Sequence, residues 1–253
     1  MIPKIIHYCW LSDDEIPETL KKCMESWHRI LPDYEFILWD RNRFDITSVP
    51  WVNEAYSHRK YAFAADYIRL YAIYTHGGIY LDMDVEIIQS FDSLLSRPYI
   101  LGYEKKNGIE AGIFGGEKGA SWIKDCLDYY TDRHFINSNG DMDTLPLPRI
   151  MYKTLYPQIS EMTIFPNEYL TAKSYYTGEI TITPNTYSIH HFAGSWLSPI
   201  ETTAYEIRKK IPFLPEKMKG HISKFLATTK IKGFSIAVIE ELKWIRRKLS
   251  SRH

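Results

Sequence analysis

The chain has 253 residues, 45% hydrophobic and 25% charged, which suits one large soluble domain with or without an appendage. Its 31 basic and 31 acidic residues cancel, which argues against a nucleic-acid binder that is basic throughout. The three cysteines show neither a C-x-x-C pair nor metal-ligand spacing, which favours reduced thiols in a cytosolic setting. Because the N-terminus lacks the apolar core of a signal peptide and no apolar run reaches the roughly 20 residues of a membrane span, we expect a cytoplasmic protein whose membrane contacts are peripheral.

The first forty residues have the pattern of a strand, a helix and a second strand. Residues 2–10 are typical of a buried strand, Pro17 begins a helix with apolar residues at helical spacing, and 34–39 form the next strand. Such a βαβ unit predicts an α/β fold with a parallel sheet covered by helices. Further strands are predicted at 79–81, 85–88, 99–103, 109–115, 163–165 and 186–191, and helices after Pro50 and at 60–74, 121–130 and 147–155.

The charge is distributed unevenly along the chain. From Tyr205 to the end there are 13 Lys/Arg and 4 Asp/Glu, so the rest of the chain is acidic. We therefore divide the chain into a catalytic domain over 1–200 and a basic helical tail over 201–253. One apolar stripe is predicted on the last helix, at Ile236, Ile239, Leu242, Ile245 and Leu249. The tail either lies on an anionic membrane or is a solvated appendage that balances the acidic body.

Two D-x-D pairs differ in their surroundings. Asp82 and Asp84 follow the strand GGIYL, where a period of two points both carboxylates to one side. Asp141 and Asp143 lie in the loop SNGDMD, where turn chemistry explains acidic residues. The first pair is therefore the candidate site for Mg²⁺ or Mn²⁺, since both cations prefer hard oxygen ligands. A strand-to-loop turn satisfied by backbone amides is the alternative.

The helix before the first pair contains two charges on an otherwise apolar surface. Asp66 and Arg69 are three residues apart and lie on one face of the helix. A buried ion pair contributes little net stability, so its presence favours contact with a polar ligand over a purely structural salt bridge.

A third cluster is the segment IHHFAGSW at residues 189–196. A histidine can complete a metal site begun by carboxylates. Because adjacent residues of a strand point to opposite faces, at most one of His190 and His191 can be a ligand. Two structural histidines are the alternative.

These segments together resemble glycosyltransferase family 32. The resemblance rests on IPKIIHYCW at 2–10, on AADYIR at 64–69 and on GGIYLDMD at 77–84, and it weakens towards Trp196. It implies a retaining glycosyltransferase with the GT-A fold, as in the bacterial capsule and surface-polysaccharide transferases, the fungal initiating mannosyltransferases and the large toxin glucosyltransferases.

The resemblance also implies roles for particular residues. Trp10 would stack on the nucleobase, while Asp66 and Arg69 would hold hydroxyls of the donor sugar. Asp82 would contact ribose, sugar or metal water, and Asp84 would bind the metal directly.

The remaining roles implied by the resemblance lie later in the chain. The segment from His191 is similar to the H-F-x-G segment of family 8, in which the histidine is a metal ligand, whereas the toxin relatives place Ser and Trp near the diphosphate, here Ser195 and Trp196. His191, Ser195 or both could thus complete the metal site. Glu110 replaces the Asn of the family 8 N-A-G-V strand. It could face the anomeric carbon, as a nucleophile or as support for an ion-pair intermediate, or it could bind acceptor hydroxyls.

The predicted function is metal-dependent transfer of a hexose from a nucleotide-diphosphate sugar, with a UDP-sugar favoured over GDP-mannose. The acceptor would be a glycan or lipid-linked glycan in capsular or surface polysaccharide biosynthesis, at the inner face of the cytoplasmic membrane. Mn²⁺ or Mg²⁺ is the expected cofactor, and nucleic acid is not an expected partner. A nucleotide-sugar-binding module that has lost catalysis is the alternative.

Overall fold

The computed structural model describes residues 1–105, 108–175, 177–194, 199–211 and 214–250. The chain divides into two compact units. The first consists of Met1–Lys173 and Ile180–Phe192, and the second of Ser174–Glu179 and Ala193–His253. The longer segment of the second unit begins at Ala193, a few residues before the predicted division at residue 200.

The first unit alternates short strands with helices over most of its length. Its elements are, in chain order, β1 (Ile5–Cys9), α1 (Glu18–Ile30), β2 (Glu35–Trp39), α2 (Pro50–Ser57), α3 (Tyr61–His76), β3 (Gly78–Leu81), β4 (Val85–Ile87), β5 (Tyr99–Ile100), β6 (Tyr103–Lys105), β7 (Gly108–Ile109), β8 (Ile113–Gly116), α4 (Ser121–Asp128), α5 (Leu147–Leu155), α6 (Asn167–Leu170) and β9 (Ser188–His190). The second unit contains α7 (Pro199–Lys209), α8 (Glu216–Lys232) and α9 (Phe234–Ser250).

The main sheet has the strand order β2-β1-β3-β8-β5. Strand β1 runs parallel to both β2 and β3, as the βαβ pattern predicts, whereas β8 runs antiparallel to β3 and β5. The predicted α/β class is therefore confirmed. Because β1 and β3 are parallel, their carboxyl ends meet at one edge of the sheet, and both Trp10 and Asp82 follow a strand at that edge.

Alternate residues of the sheet pack into cores on its two faces. Tyr80 lies in the core formed with α2, α3, α4 and α5, while its neighbours Ile79 and Leu81 lie in the core formed with α1. Helix α3 is apolar on most sides because the sheet and α2 and α4 all pack against it. This central position holds Asp66 and Arg69 against the sheet.

Residues 99–103, predicted as one strand, are divided between β5 and β6. Two further predicted strands also differ from the observed elements. Residues 109–115 are interrupted between β7 and β8, because the Glu110 carboxylate accepts a hydrogen bond from the backbone N–H of Gly112 at 2.7 Å and closes a turn there. Residues 163–165 form only an isolated bridge between Phe165 and Gly102. Both departures depend on contacts that strand propensity does not encode.

The second unit exposes several large apolar side chains. Those of Phe234, Ile236, Ile239 and Leu242 on α9 are 64%, 44%, 51% and 60% exposed. The opposite side of α9 is marked by the buried Ala237, and α9 packs against α8. Ile245 and Leu249, which complete the predicted stripe, lie outside the described side chains. Within the described part of the chain, no helix combines the length and apolar character that a membrane span needs.

Candidate active site

The first D-x-D pair lies in a turn at the carboxyl end of β3. The backbone N–H of Asp82 donates to the carbonyl of Gly112 at 2.6 Å, and the carbonyl of Asp82 accepts from the N–H of Val85 at 3.0 Å. This turn places the two carboxylates between β3 and β4, where the side chain of Asp84 is only 13% exposed.

His190 completes a group of three donors with these carboxylates. One ligand atom each from Asp82, Asp84 and His190 can be chosen so that all lie within 4.8 Å of one another. His190 Nε2 is 3.4 Å from Asp84 Oδ1. The histidine arrives there because β9 pairs antiparallel with β4, in a register that sets His190 opposite Val85. Two carboxylates and an imidazole fit a divalent cation.

The structure places His191, the histidine that the resemblance puts on the metal, away from this group. Its Nε2 is 2.9 Å from Glu86 Oε2. The physical reason is the alternation of side chains along an extended chain, which sends neighbouring residues to opposite sides. The metal-ligand position predicted for His191 is thus occupied by His190. The predicted alternative ligand Ser195 and its neighbour Trp196 lie outside the described residues.

Arg69 joins the helix α3 to the acidic turn. Its Nη2 is 3.4 Å from Asp66 Oδ1, its Nη1 is 3.3 Å from Asp82 Oδ1, and its Nη1 also donates to the carbonyl of Ala111 at 2.8 Å. The guanidinium lies over the Tyr80 ring, 4.7 Å from its centroid. Arg69 is therefore fixed in orientation beside the carboxylates of the candidate cation site.

The charges at this site are held in a largely dry environment. Burial raises the pKa of the Asp66 carboxyl to about 7, although the positive charge of Arg69 opposes the shift. Burial also raises the pKa of Asp82, again opposed by Arg69. A ligand that offers hydrogen bonds or positive charge stabilises the ionised form of such carboxyl groups. Raised pKa values of this kind are typical of functional sites.

Glu110 lies beneath the imidazole of His190 and is 1% exposed. Its Oε1 is 3.0 Å from His190 Nδ1, and its Oε2 accepts from the hydroxyl of Thr171 at 2.8 Å. Burial alone would raise the pKa of Glu110, but the charge of His190 and these hydrogen bonds hold it below its usual value. Burial would likewise lower the pKa of His190, but Glu110 and Asp84 raise it well above its usual value.

Three residues of this arrangement are missing from the candidates that the sequence offers. Tyr80 donates its hydroxyl to Asp82 Oδ1 at 2.9 Å, and the period of two along β3 could have identified it. Gly112 leaves no room for a side chain, because a Cβ there would lie 2.5 Å from His190 Cε1 and 3.0 Å from Asp82 Oδ2. Thr171 has no local signal in the sequence.

Trp10 follows β1 at the same edge of the sheet as the acidic turn. Its indole N–H donates to the carbonyl of Asp14 at 3.0 Å, and its ring packs against the core below the sheet. The stacking of Trp10 on a base stays a prediction, for which the ring face is the relevant surface.

Fold and site together define the class of protein: an α/β GT-A fold with a D-x-D pair at a strand end. Residues 17–101 match the family model described as a glycosyltransferase sugar-binding region containing a DXD motif. The solved structure of PaToxG glycosyltransferase superposes with a TM-score of 0.50 at 19% identity, over 63% of this chain and 70% of that one. At this identity the likeness concerns the fold alone.

Three curated relatives resemble this chain in sequence. Inositol phosphoceramide mannosyltransferase 3 of Schizosaccharomyces pombe is 37% identical over 126 residues, which are 48% of this chain and 35% of the relative. Mannosyl phosphorylinositol ceramide synthase SUR1 of Saccharomyces cerevisiae is 32% identical over 46% of this chain and 31% of its own length. The uncharacterized glycosyltransferase L373 of Acanthamoeba polyphaga mimivirus is 30% identical over 55% of this chain and 58% of its own. The chain thus spans between a third and somewhat over half of these relatives.

Proposed function

We propose that the chain is a retaining, metal-dependent glycosyltransferase that moves a hexose from a nucleotide-diphosphate sugar to a glycan acceptor. The observation that carries the proposal is the meeting of Asp82, Asp84 and His190 beside the buried Arg69–Asp66 pair. A turn with only a structural role does not require an imidazole and two carboxylates in one small volume. The D-x-D family match and the names of the relatives support glycosyl transfer.

In the proposed reaction the bond between the anomeric carbon and the diphosphate oxygen breaks, and its electron pair leaves with the nucleoside diphosphate. The acceptor hydroxyl oxygen then bonds to that carbon from the same face, and its O–H bond breaks, with the proton passing to the departing diphosphate oxygen. Asp82, Asp84 and His190 would hold a divalent cation, which would supply positive charge against the departing diphosphate. Arg69 and Asp66 hold hydroxyls of the donor sugar, and Trp10 stacks on the base.

The ligand chemistry favours Mn²⁺ over Mg²⁺ in this proposal. Mg²⁺ binds almost entirely through oxygen and keeps several waters, whereas Mn²⁺ binds more tightly to a site that contains an imidazole. Neither the base nor the sugar follows from these ligands. The family resemblance favours a UDP-sugar, while the names of two relatives, a mannosyltransferase and a mannosyl phosphorylinositol ceramide synthase, favour a mannose donor.

The test is a thermal-shift screen of UDP- and GDP-sugars with Mn²⁺. A donor at about 100 times its Kd should raise Tm by roughly 5–10 °C, because it binds only the folded state. The stabilising donor, incubated with Mn²⁺ and no acceptor, should then be hydrolysed slowly, and a chelator should stop the hydrolysis. Stabilisation without any hydrolysis or transfer would instead indicate the alternative, an inactive nucleotide-sugar-binding module.

The second unit supports a further part of the proposal, a lipid-linked glycan acceptor at the inner face of the cytoplasmic membrane. The exposed side chains of Ile236, Ile239 and Leu242 form an apolar stripe on α9. The stretch from Tyr205 onward carries 13 Lys/Arg against 4 Asp/Glu, a charge complementary to an anionic bilayer. The proposed role in capsular or surface polysaccharide assembly rests on the family resemblance alone.

Vesicle sedimentation tests this membrane contact. Wild-type protein should bind phosphatidylglycerol vesicles more strongly than phosphatidylcholine vesicles, and salt should weaken the binding because it screens surface charge. The double substitution Ile239→Ser and Leu242→Ser removes apolar contact and keeps every charge, and it should reduce binding about tenfold or more. Equal binding of the variant and the wild type would contradict the proposal.

A further inference from the structure

The carboxylate of Glu110 has no oxygen left free for a substrate. Its Oε1 accepts from the N–H of Gly112 at 2.7 Å and faces His190 Nδ1 at 3.0 Å, and its Oε2 accepts from the Thr171 hydroxyl at 2.8 Å. The side chain is also 2% exposed. A nucleophile needs an open path to the anomeric carbon. These contacts therefore argue against the nucleophilic role that the resemblance offers for this residue.

The same contacts fix the imidazole of His190. A ring nitrogen that faces a carboxylate carries the proton, so the Nδ1–H donates to Glu110 and the other nitrogen is left to bind a cation. That other nitrogen, Nε2, points at Asp84 Oδ1 from 3.4 Å. The Phe192 ring stacks on the imidazole with a centroid distance of 4.2 Å and an angle of 28°, which restricts its rotation.

We propose that Glu110 is a positioning residue, which holds His190 with its Nδ1–H on the carboxylate and its Nε2 directed at the cation site of Asp82 and Asp84. Thr171 supports this arrangement by holding the second oxygen of Glu110 in place. The inference rests on the proposed function in one respect, which is that the three side chains bind a divalent cation.

A second carboxylate–imidazole pair provides a matched control. Glu54 Oε1 lies 2.6 Å from His134 Nδ1, and Glu54 Oε2 accepts from the backbone N–H of Ile136 at 2.9 Å. This pair also combines an imidazole with a backbone amide on one carboxylate, but it does not belong to the group of Asp82 and Asp84. Glu54→Gln therefore imposes the same chemical change without touching the proposed cation site.

The experiment measures Mn²⁺ binding to the full chain by electron paramagnetic resonance, with no donor present. Glu110→Gln should lower Mn²⁺ affinity about 10–100-fold and weaken the nitrogen coupling from His190 seen in pulsed spectra, as expected for loss of an outer-shell partner. Thr171→Val removes one hydrogen bond and should lower the affinity about 2–10-fold. Glu54→Gln should bind like the wild type, and His190→Ala should lose the nitrogen coupling altogether.

Wild-type affinity and wild-type nitrogen coupling in Glu110→Gln would overturn the inference. Should that variant fail to fold, Thr171→Val decides, because unchanged affinity and coupling there would equally overturn it. A wild-type chain that binds no Mn²⁺ would overturn both the metal site and the positioning role. Mn²⁺ binding that depends on Glu110, without hydrolysis or transfer of any donor, would remove the proposed transferase function and leave the inference standing.

Discussion

The two D-x-D pairs of this chain are alike in sequence, and each has a guanidinium and a tyrosine hydroxyl beside one carboxylate. Among the described residues, only the first pair also shares one small volume with an imidazole. At Asp82 and Asp84 the neighbouring groups are the guanidinium of Arg69, the hydroxyl of Tyr80 and the imidazole of His190, all delivered by other elements or by the strand itself. These neighbours surround the carboxylates but leave them directed towards one shared volume.

At the second pair, groups of the same loop donate hydrogen bonds to both carboxylates. Asp141 Oδ2 accepts from the side-chain amide of Asn139 at 2.9 Å, and Asp143 Oδ1 accepts from the backbone N–H of Leu145 at 3.2 Å. Arg133 also lies 3.5 Å from Asp143 Oδ2. Asp143 Oδ2 also accepts from the Tyr129 hydroxyl at 3.3 Å. The comparison teaches that the imidazole brought in from β9, rather than an arginine or a tyrosine, makes the first pair the candidate cation site. The short motif alone does not distinguish the two cases.

The strongest way to break this comparison is to remove one carboxylate from each pair. Asp84→Asn should lower transfer or donor hydrolysis by at least about 10²–10³-fold, because the charge facing the departing diphosphate depends on it. Asp141→Asn should leave turnover unchanged, since its oxygen serves a surface turn. Turnover with saturating Mn²⁺ and circular dichroism of both variants are the measurements. Similar losses in the two variants would contradict the assignment.

Substitution of a glycine beside each pair tests the same comparison, with a smaller expected change. Gly112→Ala would set a methyl group against His190 and Asp82, so we expect Mn²⁺ affinity to fall roughly tenfold. Gly140→Ala, in the second loop, meets nothing within 4 Å but must adopt a φ of +84°, so it should cost about 1–2 kcal/mol and keep Mn²⁺ affinity.

The two glycine variants should therefore respond in opposite ways. Calorimetric titration with Mn²⁺ and thermal unfolding of both proteins test this expectation. The assignment fails if Gly112→Ala binds Mn²⁺ as tightly as Gly140→Ala does.

The smallest expected effect concerns stability at the first pair's neighbour, Asp66. Its pKa of about 7 in the folded state lies above the ordinary value of 3.8. Between about pH 4 and pH 7 the unfolded chain loses this proton while the folded chain retains it, so stability falls as pH rises through that window and then levels off. Asp66→Asn removes this dependence.

We therefore expect Asp66→Asn to raise Tm at pH 8 in the absence of metal and donor, by roughly 2–4 °C for each kcal/mol gained. The gain should shrink as the pH falls towards 4. Donor binding should weaken at the same time, because the hydroxyl contact is altered. A lower Tm at pH 8 would show that attraction between Asp66 and Arg69 outweighs the cost of burying the carboxylate.

Local pattern was sufficient to predict the first half of the fold. The parallel β1–β2 pair and the buried helix α3 follow from apolar spacing, and α3 brings Asp66 and Arg69 with it. The position of Asp82 and Asp84 at a strand end was equally readable. Each of these features depends on residues close together in the chain.

The closure of the site could not be predicted in the same way. Whether His190 or His191 faces the carboxylates depends on the register of β9 against β4, since a shift of one residue exchanges the two faces. The hydrogen bond from the Thr171 hydroxyl to Glu110 joins two residues that no sequence motif connects. Both are long-range pairings, which local propensity does not encode.

The pairing of β4 with β9 bears on how the candidate cation site is assembled. The two strands pair over only three residue pairs, yet they join segments separated by about half of the first unit. Closing so long a loop costs chain entropy, which this short ladder must offset. During synthesis the emerging chain holds both carboxylates long before the imidazole arrives. A cation bound by all three would therefore stabilise this pairing, so that cation release and fraying of β9 would be linked equilibria.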